Sequence, residues 1–248
     1  TERMRIKGDG TVGIGTANVP SNKNTVTPTL NVSGNGVKGA AQITRHTAVG
    51  GGGALLHLAG TRGSDVNSYT ILQDGDGIGT VAFMAADGNE FTQAAEIKAA
   101  VDGTPGDNDM PGRLIFSTTA DGASSVTERM RIASDGKVGI NKAAPVTQLH
   151  IEGGGTSNPA TTGTDPAAGT VLRIRPGNNA ILDIGGNGTS GAWLQSYDQT
   201  GMQTEYPLLL NPNGGNVGIG TTSPAKSLNV SSSAEIARFD GTAGANDH

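Results

Sequence analysis

Thr127-Glu128-Arg129-Met130-Arg131-Ile132-Ala133-Ser134-Asp135-Gly136-Lys137-Val138-Gly139-Ile140 reads as a strand, a tight turn and a second strand. Met130 and Ile132 alternate with Arg129 and Arg131, and Val138 and Ile140 alternate around Gly139. A period of two places alternate side chains on opposite faces of a strand, so one face of this segment is apolar and the other charged. Asp135-Gly136 supplies the positive backbone φ that a hairpin turn needs, because glycine adopts it without a side-chain clash. The segment is therefore expected to form a β-hairpin.

The same pattern organises the rest of the chain. Residues 1–14, Thr-Glu-Arg-Met-Arg-Ile-Lys-Gly-Asp-Gly-Thr-Val-Gly-Ile, align on 127–140 without a gap. A third copy reads Leu208-Leu209-Leu210, then Asn213-Gly214-Gly215-Asn216-Val217-Gly218-Ile219-Gly220-Thr221, one residue longer in the turn. Each copy is followed by a short strand-like run: Leu30-Asn31-Val32, Leu149-His150-Ile151 and Leu228-Asn229-Val230. The first copy reaches its run through a longer loop around Pro20 to Pro28, and a weaker echo relates 41–46 to 234–239. Internal repetition of this kind marks a modular architecture. The expected organisation is a hairpin repeat at 1–32, a first insert with shaft strands at 33–126, a second repeat at 127–151, a second insert at 152–204, a third repeat at 205–231 and the start of a further module at 232–248. Repeats cut at both ends read as a piece of a longer protein.

Between the repeats, Leu114, Phe116 and Thr118 alternate, as do Leu172 and Ile174, and Leu194 and Ser196 against Trp193 and Tyr197. Ile181 and Ile184 flank Asp183 in a similar run. Residues 91–101 carry apolar side chains at helical spacing but also alternate through Ala95, Ile97, Ala99 and Val101, and glycine-rich turns bound them, so they are read as strand.

Composition limits what such strands can build. The 248 residues include 40 Gly and 11 Pro, apolar residues make up only 34% and aromatics 3%, which argues against a large α/β or all-α enzyme core. A net charge of only −5 and the clustering of apolar residues into patterned runs argue against disorder. With no cysteine, neither disulfides nor thiolate sites are available. Short strands with one narrow apolar face cannot bury a core unless another sheet covers that face, so association of several copies is expected, three chains sharing one interior. The acidic balance argues against a nucleic-acid surface, and no apolar run is long enough for a membrane helix.

Motifs that carry chemistry are sparse in this sequence. The pattern G-x-G-x-x-G occurs at Gly8/Gly10/Gly13, Gly34/Gly36/Gly39 and Gly186/Gly188/Gly191, but none opens an amphipathic helix, which a dinucleotide site requires. The histidines His46, His57, His150 and His248 show no metal-pair spacing. The acidic turns 74–77 and 107–109 could present oxygens to Ca²⁺, though solvated turns explain them more simply. No catalytic, metal or cofactor residue is assigned. Trp193, Gln195 and Tyr197 are the candidate ligand-binding residues, because aromatic faces beside amides suit a sugar; packing of Trp193 against a neighbouring strand is the favoured alternative.

The run 107–122, Asp-Asn-Asp-Met-Pro-Gly-Arg-Leu-Ile-Phe-Ser-Thr-Thr-Ala-Asp-Gly, leading into 127–132, resembles the shaft repeats of bacteriophage tail fibres and related receptor-binding fibre proteins, as does Val217-Gly218-Ile219-Gly220-Thr221-Thr222-Ser223-Pro224. The resemblance covers most of 1–32, 78–151 and 205–240. It implies an all-β, intertwined homotrimeric fibre segment in a virion appendage, outside the cell. Such a segment is non-enzymatic and works with other tail proteins and a host-surface glycan, without nucleic acid, membrane insertion or cofactor. Fibres of this kind often end in an intramolecular chaperone that is cleaved off. A fibre-borne polysaccharide depolymerase and a bacterial surface adhesin remain the alternative readings.

Overall fold

The computed structural model describes residues 4–6, 8, 12–14, 30–32, 43, 53–65, 67–153, 155–177, 179–188 and 191–231. The described residues are all β, without a helix, and the chain divides into two compact units at 152/153. The longer first-copy loop around 20–28, the echoes at 41–46 and 234–239, the glycine pattern at 34–39, and His46 and His248 lie outside the described residues or nearly so.

In the first unit, strands β1 (Met4–Ile6), β2 (Val12–Ile14) and β3 (Leu30–Val32) form one small sheet. A second sheet has six strands in chain order: β4 (Gly77–Ala86), β5 (Phe91–Val101), β6 (Gly112–Thr119), β7 (Val126–Ile132), β8 (Val138–Ile140) and β9 (Leu149–Ile151). All neighbours are antiparallel except β8 and β9, which run parallel. Residues 91–101 are strand, as their alternation predicts. The sequence boundary at 126/127 falls inside this sheet, because β6 and β7 are hydrogen-bonded neighbours.

The first two repeats fold alike. Met4 faces Ile14 as Met130 faces Ile140, and Val12 pairs with Leu30 in parallel as Val138 does with Leu149. The parallel return strand therefore keeps its register although the connecting loops differ in length. In the second copy Gly136 has φ of 81° and its N–H donates to the Ala133 carbonyl at 2.9 Å, closing the hairpin turn. Asn141, at φ 55°, turns the chain out of β8, and its side-chain amide donates to the Glu152 carbonyl beyond β9. Gly220 occupies the matching place in the third copy, with φ of 71°. The central glycine of Val-Gly-Ile has a separate reason. A Cβ on Gly139 would collide with the Lys142 carbonyl oxygen, and one on Gly218 with that of Thr221, because the departing loop folds back over the strand.

The second unit contains an antiparallel sheet of β10 (Thr170–Ile174), β11 (Ala180–Gly186) and β12 (Ala192–Asp198), and a separate parallel pair, β13 (Val217–Ile219) and β14 (Leu228–Val230). Its small core is Ile181, Tyr197 and Met202, with Ala160 packed against them. The glycines at 186–191 belong to the turn between β11 and β12 rather than to a phosphate loop: Gly188 and Gly191 have φ of 77° and 132°, and the Asn187 N–H donates to the Gly191 carbonyl. The third repeat departs from the expected hairpin. Its first arm, 208–210, is not a strand, and β13 pairs with β14 alone among the described residues.

Two glycine substitutions should separate these backbone roles. At Gly136 nothing lies within reach of an added Cβ, so Gly136→Ala should cost only the left-handed penalty of about 1–2 kcal/mol, and Gly136→Val more, because β-branching disfavours that region further. Gly139→Ala should lower the melting temperature more than Gly136→Ala, since the Lys142 loop must move; thermal denaturation of the two alanine variants checks the order.

Candidate functional site

Cross-strand register sorts the six-stranded sheet into rows. Val81, Ile97, Phe116, Met130, Ile140 and Ile151 form one apolar row across all six strands. Two residues along, on the same face, Gly79, Ala99, Leu114, Ile132, Val138 and Leu149 form a second. The intervening row, Thr80, Lys98, Ile115, Arg131, Gly139 and His150, points the other way. At a strand spacing of about 4.8 Å the apolar rows run roughly 24 Å across the sheet.

The apolar face is the more open one. Val81 is 42% exposed, Phe83 52% and Leu149 56%, while Val101 at one end of the same face is buried, Leu58 packs at Gly79, and Ile115 and Ser117 on the opposite face are buried. Charged and polar side chains close that opposite face over themselves. Arg131 makes a two-pronged bond to Glu128 at 2.6 and 2.7 Å, and Gln93 donates to Glu96 at 2.9 Å. Beside it, Arg113 reaches Asp102 at 2.8 Å. Burial pushes the Asp102 carboxyl up, but the Ser134 amide and Arg113 outweigh it and hold the group below the usual carboxylate range.

The three-stranded sheet of the second unit repeats the arrangement. Leu172, Ile184 and Leu194 form a cross-strand apolar row, with Leu182 and Ile174 beside it, and Leu194 is 56% exposed. Ile181 and Ile184, which the sequence places together around Asp183, lie on opposite faces. The other face carries Arg173, Asp183 and Gln195 in one row, Ile181 beside Tyr197, and Gly185 beside Trp193. That face is covered. Asp183 is fully buried, held by the Arg173 guanidinium through two bonds of 2.8 and 2.7 Å and by a short hydrogen bond from the Tyr197 hydroxyl. Arg173 also lies over the Tyr197 ring, 5.9 Å from its centre.

The candidate residues Trp193, Gln195 and Tyr197 are thus held in packing and hydrogen bonds. Trp193 packs its ring onto Gly185, which has no room for a Cβ, and donates its indole N–H to the Ser157 carbonyl at 3.0 Å. Tyr197 is 1% exposed, so its ring offers no face to a ligand from solvent, and the Gln195 side-chain amide donates to the Ser196 carbonyl. Tyr206, less buried, donates to Asp198 at 2.9 Å. Of the acidic turns, 74–77 is engaged: Asp76 accepts from Arg62 at 2.5 and 2.9 Å and from the Gln73 amide, which hold its carboxyl at about 2. In the other, Asn108 sits at φ 55° and Gly106 bridges Asp109.

A shallow cleft of about 420 Å³ lies in the first unit, lined by Thr61, Tyr69, Thr70, Asp107 and Met110 among others. Tyr69 is 88% exposed there. Nothing in the sequence distinguished it, because it belongs to no alternating run.

The buried network makes the second unit sensitive to pH at both extremes. Burial pushes the Asp183 carboxyl up, yet the Arg173 and Tyr197 hydrogen bonds outweigh it and keep it below the usual range. Its contribution to stability is therefore present above the ordinary carboxylate range and is lost as pH falls through the depressed folded value. Burial and the adjacent Asp183 push the Tyr197 phenol up to about 12 from 10.0. That contribution is present below pH 10 and is lost as pH rises towards 12. Tyr197→Phe should remove the alkaline loss, and Asp183→Ala should destabilise the unit by about 1–3 kcal/mol because it leaves the buried Tyr197 hydroxyl without its acceptor; melting curves against pH check both.

No protein-family model matches the chain, and no curated protein does. Among solved structures, it is similar to the carboxy-terminal domain of the bacteriophage T5 L-shaped tail fibre, at 12% identity and a TM-score of 0.34, covering 84% of this chain and 100% of that one. The same fibre domain with its intramolecular chaperone domain matches at 14% identity and a TM-score of 0.35, covering 84% of this chain and 71% of that one.

Proposed function

We propose that this chain is a shaft segment of a tail-fibre-like virion appendage, working as a homotrimer whose copies pack their open apolar sheet faces together. The observation that carries the proposal is the pair of apolar rows spanning all six strands of one sheet, matched by the Leu172–Ile184–Leu194 row of another. Apolar patches beyond a few hundred Å² are rare on monomeric proteins and mark surfaces that meet a partner. A second copy of the chain presents the same narrow faces, and three such faces enclose an interior that needs few aromatic side chains. The repeated hairpins and the shaft-like run 107–132 favour a fibre over a compact oligomer.

In this reading the segment is structural rather than enzymatic, and the trimer is its immediate partner. It carries recognition of a host-surface glycan by holding binding elements in three copies, which raises avidity without new contacts. Other tail or appendage proteins anchor it to the particle.

Light scattering should give three times the 24.9 kDa chain mass; a stable monomer at micromolar concentration sinks the proposal. Leu194→Glu and Val81→Lys fall on the open faces, where substitution on a free monomer would shift stability by no more than about 0.5 kcal/mol. In the assembled protein each should weaken or abolish the trimer. Variants that stay trimeric with unchanged melting show that these faces are not the contact.

A further inference from the structure

Among the described residues, the third repeat falls short of the pattern the other two set. In the second copy β8 has a partner on each side: β9 in parallel, and β7 in antiparallel register with Met130 opposite Ile140, Arg131 opposite Gly139 and Ile132 opposite Val138. The first copy repeats both pairings through Met4, Arg5 and Ile6. In the third, β13 keeps the parallel partner, with Val217 opposite Leu228 and Ile219 opposite Val230, and has no second strand among the described residues. The arm that would supply it, Leu208, Leu209 and Leu210, lies outside any strand with exposures of 44%, 68% and 62%.

The turn explains why the arm does not close on its own strand. In the second copy the Ala133 N–H donates to the Lys137 carbonyl at 2.9 Å, the bond that seats the two arms side by side. The third copy has one residue more here, and Asn211, Gly214 and Gly215 all take positive φ, at 52°, 109° and 102°. The matching carbonyl, that of Asn216, accepts instead from the Asn211 side-chain amide at 3.1 Å. Upstream, the Tyr206 N–H is bound to the Ser196 carbonyl at 3.1 Å, and Glu205 bridges Tyr197 on β12. The arm is therefore bound to β12 at its upstream end and, through the Asn211 side chain, to the start of β13 at its downstream end, and the three adjacent leucines between stay exposed without strand pairing.

We infer that residues 208–210 of a second copy of this chain complete the β13 sheet, in the antiparallel register Leu208 opposite Ile219, Leu209 opposite Gly218 and Leu210 opposite Val217. The inference rests on the proposed self-association and specifies one of its contacts. The occupant follows from the repeats, since this chain carries two working examples of the pairing and a third arm of matching alternation. Leu208 and Leu210 then join Val217, Ile219, Leu228 and Val230 on one apolar face, as Met130 and Ile132 join Val138, Ile140, Leu149 and Ile151. An open strand edge is a template for another chain, and exchange of an identical element between copies satisfies it without new surface.

The chain has no cysteine, so an engineered disulfide reports the pairing without background. Leu208 and Ile219 would form a non-hydrogen-bonded pair, whose Cα separation of about 4.5 Å lies within disulfide range. Chains carrying only Leu208→Cys are mixed, unfolded and refolded with chains carrying only Ile219→Cys, then oxidised. The expected result is a covalent dimer that contains one chain of each kind, far exceeding what either variant forms alone. A trimer by light scattering that yields no mixed disulfide overturns the exchange and leaves the association standing. So does the double variant closing its disulfide within one chain. A monomer overturns both. Melting temperatures matching the parent confirm that each single variant folds.

Discussion

Two faces of a strand cannot both be left to water when one of them is apolar, and among the described residues that constraint is only partly met. The strands alternate strictly enough for rows of like side chains to line up across six neighbours, yet among the described residues the row running from Val81 to Ile151 has exposed members at Val81 and Ile140. The charged face, where a monomer would meet solvent, is the better protected one. Its arginines cover it with their own stems and bind carboxylates on the same or neighbouring strands.

The second unit solves half of the problem locally. Ser157, Ala160 and Met202 lie against the face bearing Asp183, so Ile181 and Tyr197 find a small core there and the buried carboxylate finds both an arginine and a phenol. A buried ion pair contributes less to stability than its geometry implies, because desolvation opposes it, but it penalises any register other than the one that pairs Arg173 with Asp183. The same sheet's leucine face is left as open as the larger sheet's. In the proposed assembly, polar groups are buried inside each chain and the leucine faces meet one another.

The repeats show how little sequence is needed to specify a local three-strand unit, and how a single residue disturbs it. Val-Gly-Ile sets a strand, its glycine makes room for the loop that folds back, and Asn141 or Gly220 takes the left-handed turn that follows. The hairpin arm depends on more. With one residue added to the turn, Asn211 binds Asn216 through its side chain and the arm leaves the sheet.

By itself the sequence determined the all-β class, the hairpin at 127–140 and the strand at 91–101, because period-two alternation and turn residues act over a few neighbours. It also located the two faces of the strictly alternating runs, such as 129–132 and 138–140. What it could not determine was which face would be covered. Trp193, Gln195 and Tyr197 suit a sugar by their aromatic and amide chemistry, with packing of Trp193 the favoured alternative; in the structure Trp193 packs on Gly185 and bonds Ser157, Tyr197 bonds Asp183, and Gln195 bonds the Ser196 carbonyl. Ile181 and Ile184 looked like partners and were separated by the pleat. The fate of 208–210 was equally hidden, since the arm's own residues are good strand formers and the decision lies with a hydrogen bond in the turn. Burial and pairing depend on what arrives from elsewhere in the chain or from another copy, and that information is carried by the assembled backbone rather than by any local run of residues.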